Sequence, residues 1–293
     1  MTAVQVWQFS LSGLTTGGIY ALIALGFSLV YNATGVINFA QGEFVMLGGM
    51  ITAAAMSAWN LPLWLAALLA VAGTTVVGLA LDRAAIRPAR RASIVVLIII
   101  TVGASIFIRG VASVIWGPEE RPVPAFSGES PISVFGAAIT PQSLWVLGTT
   151  LVVAVAMWMI FEHTVIGKAM RACAINAPAA QLCGVELSRM ISWSFGLAAA
   201  VGAIAGIVLA PITMTQYSIG TMLGLKGFCA AILGGLGNSI GGIIGGLLLG
   251  VLEALGAGLI SSQYKDAIAF VVLITVLLIK PSGFLGEEGG GEL

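Results

Sequence analysis

Charged side chains are scarce in this chain: Asp, Glu, Lys and Arg together make up 8% of its 293 residues. Soluble domains carry about 25% charged residues, whereas 59% of this chain is hydrophobic and its mean hydropathy is +1.07. Because so little polar surface cannot cover a water-soluble globule, the composition predicts a polytopic integral membrane protein of the all-α class. The formal net charge of zero gives no electrostatic basis for binding nucleic acid.

Residues that hold metals or carry catalysis are also rare. The three cysteines show no CxxC spacing, which argues against a disulfide framework and a zinc site, and the single histidine, His163, has no ligand-spaced partner. The glycine-rich stretch 234–238 lacks the Gly-Lys-Ser/Thr ending of a nucleotide-binding loop. We therefore expect no metal site, no cofactor and no enzyme activity, ATP hydrolysis included.

Long apolar runs recur along the chain and predict a single domain over residues 1–293, with eight or nine transmembrane or re-entrant helices. The runs are Leu11–Tyr31, Asn38–Met56, Leu61–Leu81, Ile94–Trp116, Leu144–Phe161, Ile191–Thr213, Met222–Leu236, Ile240–Ile260 and Ala267–Ile279. Met222–Leu236 and Ala267–Ile279 are shorter than the roughly 20 residues of a straight span, so they are predicted to be re-entrant, tilted or extended by polar neighbours. The first cation is Arg83, so the N-terminal run is interpreted as a retained span and not as a cleavable signal peptide.

Most cations fall in two short loops, which the positive-inside rule places on the cytoplasmic side. They are Arg83, Arg87, Arg90 and Arg91 in one loop, and Lys168, Arg171 and Arg189 in the other. The connection between them, residues 117–141, holds three glutamates and one arginine and is predicted to face outward. Its five prolines predict an ordered, non-helical segment, either a plain connector or a docking surface for an extracytoplasmic partner. The N-terminus is then outside; nine spans would return the C-terminus to the cytoplasm, and eight would leave it outside.

A polar cluster interrupts the apolar sequence at residues 35–44, where Asn38, Gln41 and Glu43 stand among two glycines. An ionised side chain at the bilayer centre costs about 2.5–3.5 kcal/mol on insertion scales. Such residues either line a transport path, exposed by a helix that opens locally, or lock neighbouring helices together by hydrogen bonds. We favour the locking role for Asn38 and Gln41 and the path for Glu43, and we rank Glu253 lower, as a possible partner for a cation or as a protonated acid.

The second basic loop, residues 162–189, reads as two short helices. Asn176 can cap the second helix with Pro178 in its first turn, and Gly184 can end it in the left-handed conformation. Small side chains leave a compact protrusion that suits docking into a groove on another protein. The alternative is a capped connector whose cations only set the topology.

Glycines also recur at the small-xxx-small spacing that lets membrane helices approach closely. The pairs are Gly13 and Gly17, Gly202 and Gly206, Gly241 and Gly245, Gly242 and Gly246, and Gly246 and Gly250. They predict packing seams, either within the subunit or between subunits.

Five stretches of the chain match one known family. They are Gly17–Leu22, Gly35–Gly49, Thr164–Gly184, Gly227–Gly237 and Lys280–Gly286. In combination they resemble the permease subunit of ATP-binding-cassette importers of the branched-chain amino acid family, and more narrowly the shorter of its two permeases. The resemblance implies a multi-pass protein of the bacterial cytoplasmic membrane that carries leucine and similar amino acids inwards.

The resemblance also implies partners and sites. Two permease subunits form the path, and the family likeness favours an unlike pair over two identical copies. Two cytoplasmic ATPases drive the path, and a periplasmic or lipid-anchored binding protein delivers the amino acid. The loop at 162–189 becomes the element that couples to the ATPase, and the positions carried over to it are Gly167, Arg171, Ala172, Ala180 and Gly184. Asn38, Gln41 and Glu43 are the candidates for the substrate path.

Two other functions stay open at this point. Related permeases carry urea or other short amides, so the substrate does not follow from the family alone. A stand-alone secondary transporter or channel also shows broken helices and buried carboxylates, but it has no need for a capped two-helix protrusion. A membrane-embedded enzyme would need clustered His, Asp or Ser side chains, which the sequence does not offer.

Overall fold

The computed structural model describes residues 3–90, 92–128, 130–134, 136–259 and 261–286, and over these the protein is almost entirely helical. The helices are α1 (Ala3–Thr34), α2 (Gln41–Trp59), α3 (Leu63–Leu81), α4 (Ile94–Trp116), α5 (Pro141–His163), α6 (Val165–Ile175), α7 (Ala177–Leu182), α8 (Leu187–Thr213), α9 (Ile219–Gly234), α10 (Ser239–Leu259) and α11 (Lys265–Ile279). A π-helical turn (Asp82–Ile86) follows α3, and a 3₁₀ turn (Ser262–Tyr264) precedes α11.

Nine of these helices, counted over the described ranges, coincide with the nine predicted apolar runs, so the all-α polytopic prediction is confirmed. Seven are long and apolar enough to cross a membrane. The other two are α2, whose first turn contains the polar residues Gln41 and Glu43, and α9, which is a shorter apolar helix of 16 residues. The last span is lengthened by its polar neighbours, since the apolar segment runs from Ser262 to Ile279.

The core of the bundle lies around α1, which contacts α10 along much of its length and also touches α8, α9 and α5. The largest fully buried side chains of this core include Tyr20 and Phe27 of α1, Phe44 of α2 and Phe195 of α8. Helices α3, α4, α5 and α11 instead carry many exposed apolar side chains, such as Val76, as expected of surfaces that face lipid or another membrane chain.

The seam between α1 and α10 is made of glycines, which places the predicted small-residue contacts within the subunit. A Cβ atom on Gly17 would lie 2.8 Å from Leu247 Cα and 2.9 Å from the Gly246 carbonyl oxygen. Gly250 in turn faces the backbone of Gly13 and Gly17. Without side chains the two backbones touch, and this close contact replaces the hydrophobic drive that is missing between helices in lipid.

Replacing Gly17 by Ala is therefore expected to lower the free energy of unfolding by about 1–3 kcal/mol, because the added methyl has only backbone atoms to displace. The measurement is thermal unfolding of the detergent-solubilised protein. Gly148→Ala is the matched control, since Gly148 lies in α5 with no atom within 4 Å of the added Cβ. Equal unfolding midpoints for the two variants would contradict close backbone packing between α1 and α10 at Gly17.

The two ends of the bundle differ in character, as α8 illustrates. At its start, Ser192 accepts a hydrogen bond from Arg87 of the first basic loop (2.9 Å), and α6 packs nearby. Just past its end, Thr215 exchanges backbone hydrogen bonds with Arg121 of the 117–141 connection. Both basic loops therefore lie at one end, which we call the basic end, and the 117–141 connection lies at the other, which we call the hairpin end.

The connection between α4 and α5 is ordered and non-helical over its described residues, as its prolines predict. Its short antiparallel hairpin, β1 (Ile132–Val134) and β2 (Ala137–Ile139), was not predicted. Gln8 of α1 holds β2 through two hydrogen bonds to the backbone of Ala138 (2.7 and 2.8 Å). The hairpin is thus fastened to the first helix.

The segment after α11 folds back onto the basic end of α9. The backbone N–H groups of Phe284 and Leu285 donate to the carbonyl oxygens of Leu233 and Gly234 (2.9 and 3.0 Å). The side chain of Asn238 donates to the Leu285 carbonyl (2.9 Å). Carbonyls that a helix end leaves unpaired are satisfied in this way by a distant part of the chain.

Candidate functional site

The predicted opening in the polar cluster is a complete break between α1 and α2. Gly35 follows α1 with φ +67°, a left-handed conformation that glycine adopts without strain. The Asn38 side chain accepts a hydrogen bond from the Ala40 backbone (3.1 Å), so it stabilises the turn that precedes α2. The amino-terminal end of α2 therefore lies inside the bundle, with Asn38, Gln41 and Glu43 all buried.

Gln41 connects three helices. Its side-chain amide donates to the Ala198 carbonyl of α8 (3.0 Å) and lies directly over Gly26 of α1, where a methyl group would clash with it. Its carbonyl oxygen has no hydrogen-bond partner among the described residues, and the same holds for the amide nitrogen of Asn38. These two amides keep unused hydrogen-bonding capacity inside the bundle.

Glu43 is fully buried where α2, α4 and α9 meet. Its Oε1 accepts hydrogen bonds from the hydroxyls of Ser105 (2.9 Å) and Thr221 (3.3 Å). Its Oε2 is unpartnered within the described structure and lies against Gly220, where a Cβ would come within 2.5 Å. The position in the first turn of α2 also favours a negative charge, because the helix dipole is positive there.

Arg109 extends this cluster and was missed by the sequence reasoning. Its guanidinium donates to the Thr221 hydroxyl (2.6 Å), which in turn contacts Glu43. Arg109 is the one charged residue of α4, so a lone cation within an apolar span was the available signal. The cluster places one negative and one positive group close together, an arrangement that can meet both ends of a zwitterion.

A second buried charge cluster lies between α1, α9, α10 and α11. Glu253 Oε1 is 2.8 Å from Lys226 Nζ and 3.4 Å from Lys265 Nζ, and Glu253 Oε2 accepts a hydrogen bond from the Tyr20 hydroxyl (2.9 Å). Lys226 Nζ also pairs with Asp266 (2.6 Å). Glu253 is therefore paired with a cation, which was one of the two alternatives that the sequence left open for it. The sequence did not identify Lys226 as that cation.

The loop at 162–189 folds as the two short helices α6 and α7. Thr164 and Asn176 cap them by accepting hydrogen bonds from the backbones of Gly167 (3.0 Å) and Ala179 (2.9 Å). Gly184 follows α7 with φ +84°. The predicted capping at Asn176 and the left-handed glycine at 184 are therefore present.

The five proposed coupling residues occupy different surroundings in this loop. Gly167 and Ala180 are buried, and Gly167 packs against the Ile160 carbonyl of α5 so closely that a methyl group would clash. Ala172 and Gly184 are exposed. Arg171 turns back to α5, where it pairs with Glu162 (2.7 Å) and donates to the Phe161 carbonyl (2.6 Å).

Large apolar side chains project from the same loop, although the sequence predicted a compact protrusion of small side chains. Ile175 is 87% exposed, Leu182 91% and Val165 83%. Their exposure at the basic end, on helices too short to cross a membrane, marks a surface that another protein can cover.

The fold and the buried charges define a polytopic helical membrane protein with polar groups inside its bundle. Residues 9–277 match the family described as branched-chain amino acid transport system, permease component. The chain is 36% identical to the high-affinity branched-chain amino acid transport system permease protein LivH of Salmonella typhimurium, over 96% of this chain and 95% of that protein. It is 35% identical to the permease protein BraD of Pseudomonas aeruginosa over the same shares, and 28% identical to the galactofuranose transporter permease protein YtfT of Escherichia coli, over 90% and 77%.

The chain belongs to the family of branched-chain amino acid transport system permease components. It is therefore a transmembrane permease, as the motifs at 35–49 and 164–184 indicated.

Proposed function

We propose that this permease imports branched-chain amino acids into the cytoplasm as one subunit of an ATP-binding-cassette transporter. The observation that carries the proposal is the likeness to LivH and BraD, which extends over 96% of the chain at 36% and 35% identity. Identity to the sugar permease YtfT is lower, 28%. An amino-acid substrate is thus favoured over a sugar, urea or a short amide.

The substrate path in this proposal runs past the cluster of Glu43, Arg109 and Thr221. Leucine, isoleucine and valine share an α-ammonium and an α-carboxylate, so a path for them needs a few polar groups among apolar walls. The unpartnered Oε2 of Glu43 suits an ammonium group, and the guanidinium of Arg109 suits a carboxylate. Asn38 and Gln41 contribute the spare amide groups nearby.

The basic end faces the cytoplasm in this proposal, and the loop at 162–189 docks onto a separate ATPase subunit. The exposed side chains of Ile175 and Leu182 would enter a groove of that partner. A second permease subunit, unlike this one, completes the path, and a periplasmic or lipid-anchored binding protein delivers the amino acid from the hairpin end. The host membrane is the bacterial cytoplasmic membrane.

Reconstitution tests the whole proposal. The complex, purified through a tag on this chain, is expected to contain an ATPase subunit and to accumulate radiolabelled leucine in liposomes only with ATP and the loaded binding protein. This chain alone is expected to move nothing. Leucine accumulation by the isolated chain would instead establish a stand-alone carrier.

Reversing the charge of Arg171 tests the docking loop. Arg171→Glu is expected to abolish leucine uptake and the stimulation of ATP hydrolysis by the binding protein. This single change also breaks the ion pair with Glu162 and the hydrogen bond to the Phe161 carbonyl, so a local defect must be separated from a lost contact with the ATPase.

The swap variant Arg171→Glu with Glu162→Arg makes that separation, because it restores the local pair with reversed polarity. If Arg171 meets an acidic group of the ATPase, uptake stays lost in the swap. Recovery of uptake would show that Arg171 only holds α6 against α5.

A further inference from the structure

A groove of about 540 Å³ opens between α3 and α8 at the basic end. Its apolar wall is formed by Leu79 of α3 and by Trp193, Leu197 and Ala200 of α8. Trp193 is 49% exposed, so the groove is open along its side. The neighbouring outer face of α3, with Val76 64% exposed, is apolar as well. The groove therefore opens towards the region that lipid chains occupy.

Arginine side chains line one end of this groove. Arg83 lies in the π-helical turn after α3, Arg87 directly follows that turn, and Arg189 comes from the first turn of α8. Arg87 is held by the Ser192 hydroxyl (2.9 Å), and Arg189 pairs with Glu186 (2.7 Å). Arg83 has no hydrogen-bond or ion-pair partner among the described residues.

The charge balance at this end of the groove is positive. The carboxylate of Asp82 is buried beneath the turn and shared between Arg87 (3.6 Å) and Arg90 (3.7 Å). With Glu186 it makes two carboxylates against the four arginines at 83, 87, 90 and 189. Two positive charges remain uncompensated, at the level where lipid headgroups meet the helix ends.

We propose that this groove binds one anionic phospholipid. The phosphate would contact Arg83, which has no partner in the described structure, and Arg189, whose guanidinium it would share with Glu186, and an acyl chain would lie along Leu79 and Leu197. Basic pockets between transmembrane helices on the cytoplasmic side recognise anionic headgroups. A soluble anion would use the arginines but leave the apolar wall uncovered, and this favours a lipid over free phosphate.

Native mass spectrometry of the detergent-purified protein, titrated with phosphatidylglycerol and separately with phosphatidylcholine, tests the proposal. Phosphatidylglycerol is expected to bind about tenfold or more tightly. The double variant Arg83→Gln with Arg189→Gln is expected to lose that preference while still binding phosphatidylcholine. Lys168→Gln removes an exposed cation of the second basic loop that does not line the groove, and it is expected to keep the preference.

Fluorescence locates the lipid. Brominated phosphatidylglycerol is expected to quench tryptophan emission more than brominated phosphatidylcholine, and Trp193→Phe should remove the difference. Equal affinity for the two lipids, or an unchanged preference in the double arginine variant, would overturn the proposal. Equally tight binding of glycerol 1-phosphate would show a site for soluble anions. Reduced copurification of the ATPase in the double variant, with lipid preference intact, would assign the arginines to a protein contact.

Discussion

Replacing Glu43 by Gln is expected to lower ATP-driven leucine uptake by about tenfold to a hundredfold while the transporter still assembles. Gln keeps the volume of the side chain and can still accept from Ser105 and Thr221, so the junction of α2, α4 and α9 should hold. What disappears is the negative charge opposite Arg109. One buried hydrogen bond to a charged group contributes about 1.5–3 kcal/mol, which corresponds to that range of rates.

The measurement pairs uptake in proteoliposomes with size-exclusion chromatography of the complex. Thr52→Val is the matched control on the same helix, because within the described ranges the Thr52 hydroxyl bonds only to the Gly48 carbonyl of its own helix. It should leave uptake unchanged. If Glu43→Gln loses assembly and uptake together, Glu43 acts as a structural link between helices and not as part of the path.

Replacing Lys226 by Met is expected to lower the free energy of unfolding by about 3 kcal/mol and to reduce the yield of folded protein. The change leaves the carboxylate of Glu253 buried without its nearest cation, and breaking a buried ion pair from one side typically costs 3–5 kcal/mol. Lys265, whose Nζ lies 3.4 Å from the same oxygen, keeps the cost at the lower end. Thermal unfolding in detergent measures the loss.

A second variant distinguishes the effect of leaving a buried charge unpaired from the effect of lost side-chain packing. Combining Lys226→Met with Glu253→Gln removes both charges and keeps an acceptor for the Tyr20 hydroxyl, so most of the lost stability is expected to return. Asp266 is about half exposed and can remain ionised in water without its lysine. If the double variant is as unstable as Lys226→Met alone, the ion pair is not the source of the effect.

Local sequence patterns predicted the helices because each membrane span consists of one contiguous run of apolar residues. The apolar run Ile94–Trp116 and α4 have the same bounds, and the run that ends at Leu81 ends with α3. The caps of the loop at 162–189 were also readable, since Asn176 and Gly184 act on backbone atoms only a few residues away. Helix α1 is longer than its predicted run, because Gln5 and Gln8 lowered the apolar signal of a segment that is nevertheless helical.

The contacts of the charged side chains could not be predicted from the sequence because they join helices that are far apart in the chain. Lys226 stands alone in a glycine-rich run, and nothing local shows that Glu253 and Tyr20 converge on it. Arg109 likewise reaches Thr221 only through the folding of α9 against α4. In the docking loop, the exposure of Ile175 and Leu182 depends on how α6 and α7 turn against α5 and α8.

The return of the tail to α9 has a consequence for biogenesis. The carbonyls of Leu233 and Gly234 receive their donors from Phe284 and Leu285, which the ribosome adds only after α10 and α11. Until then these two carbonyl oxygens must accept hydrogen bonds from water or lipid headgroups. Maturation of this helix in the nascent chain therefore finishes after the insertion of the two that follow it.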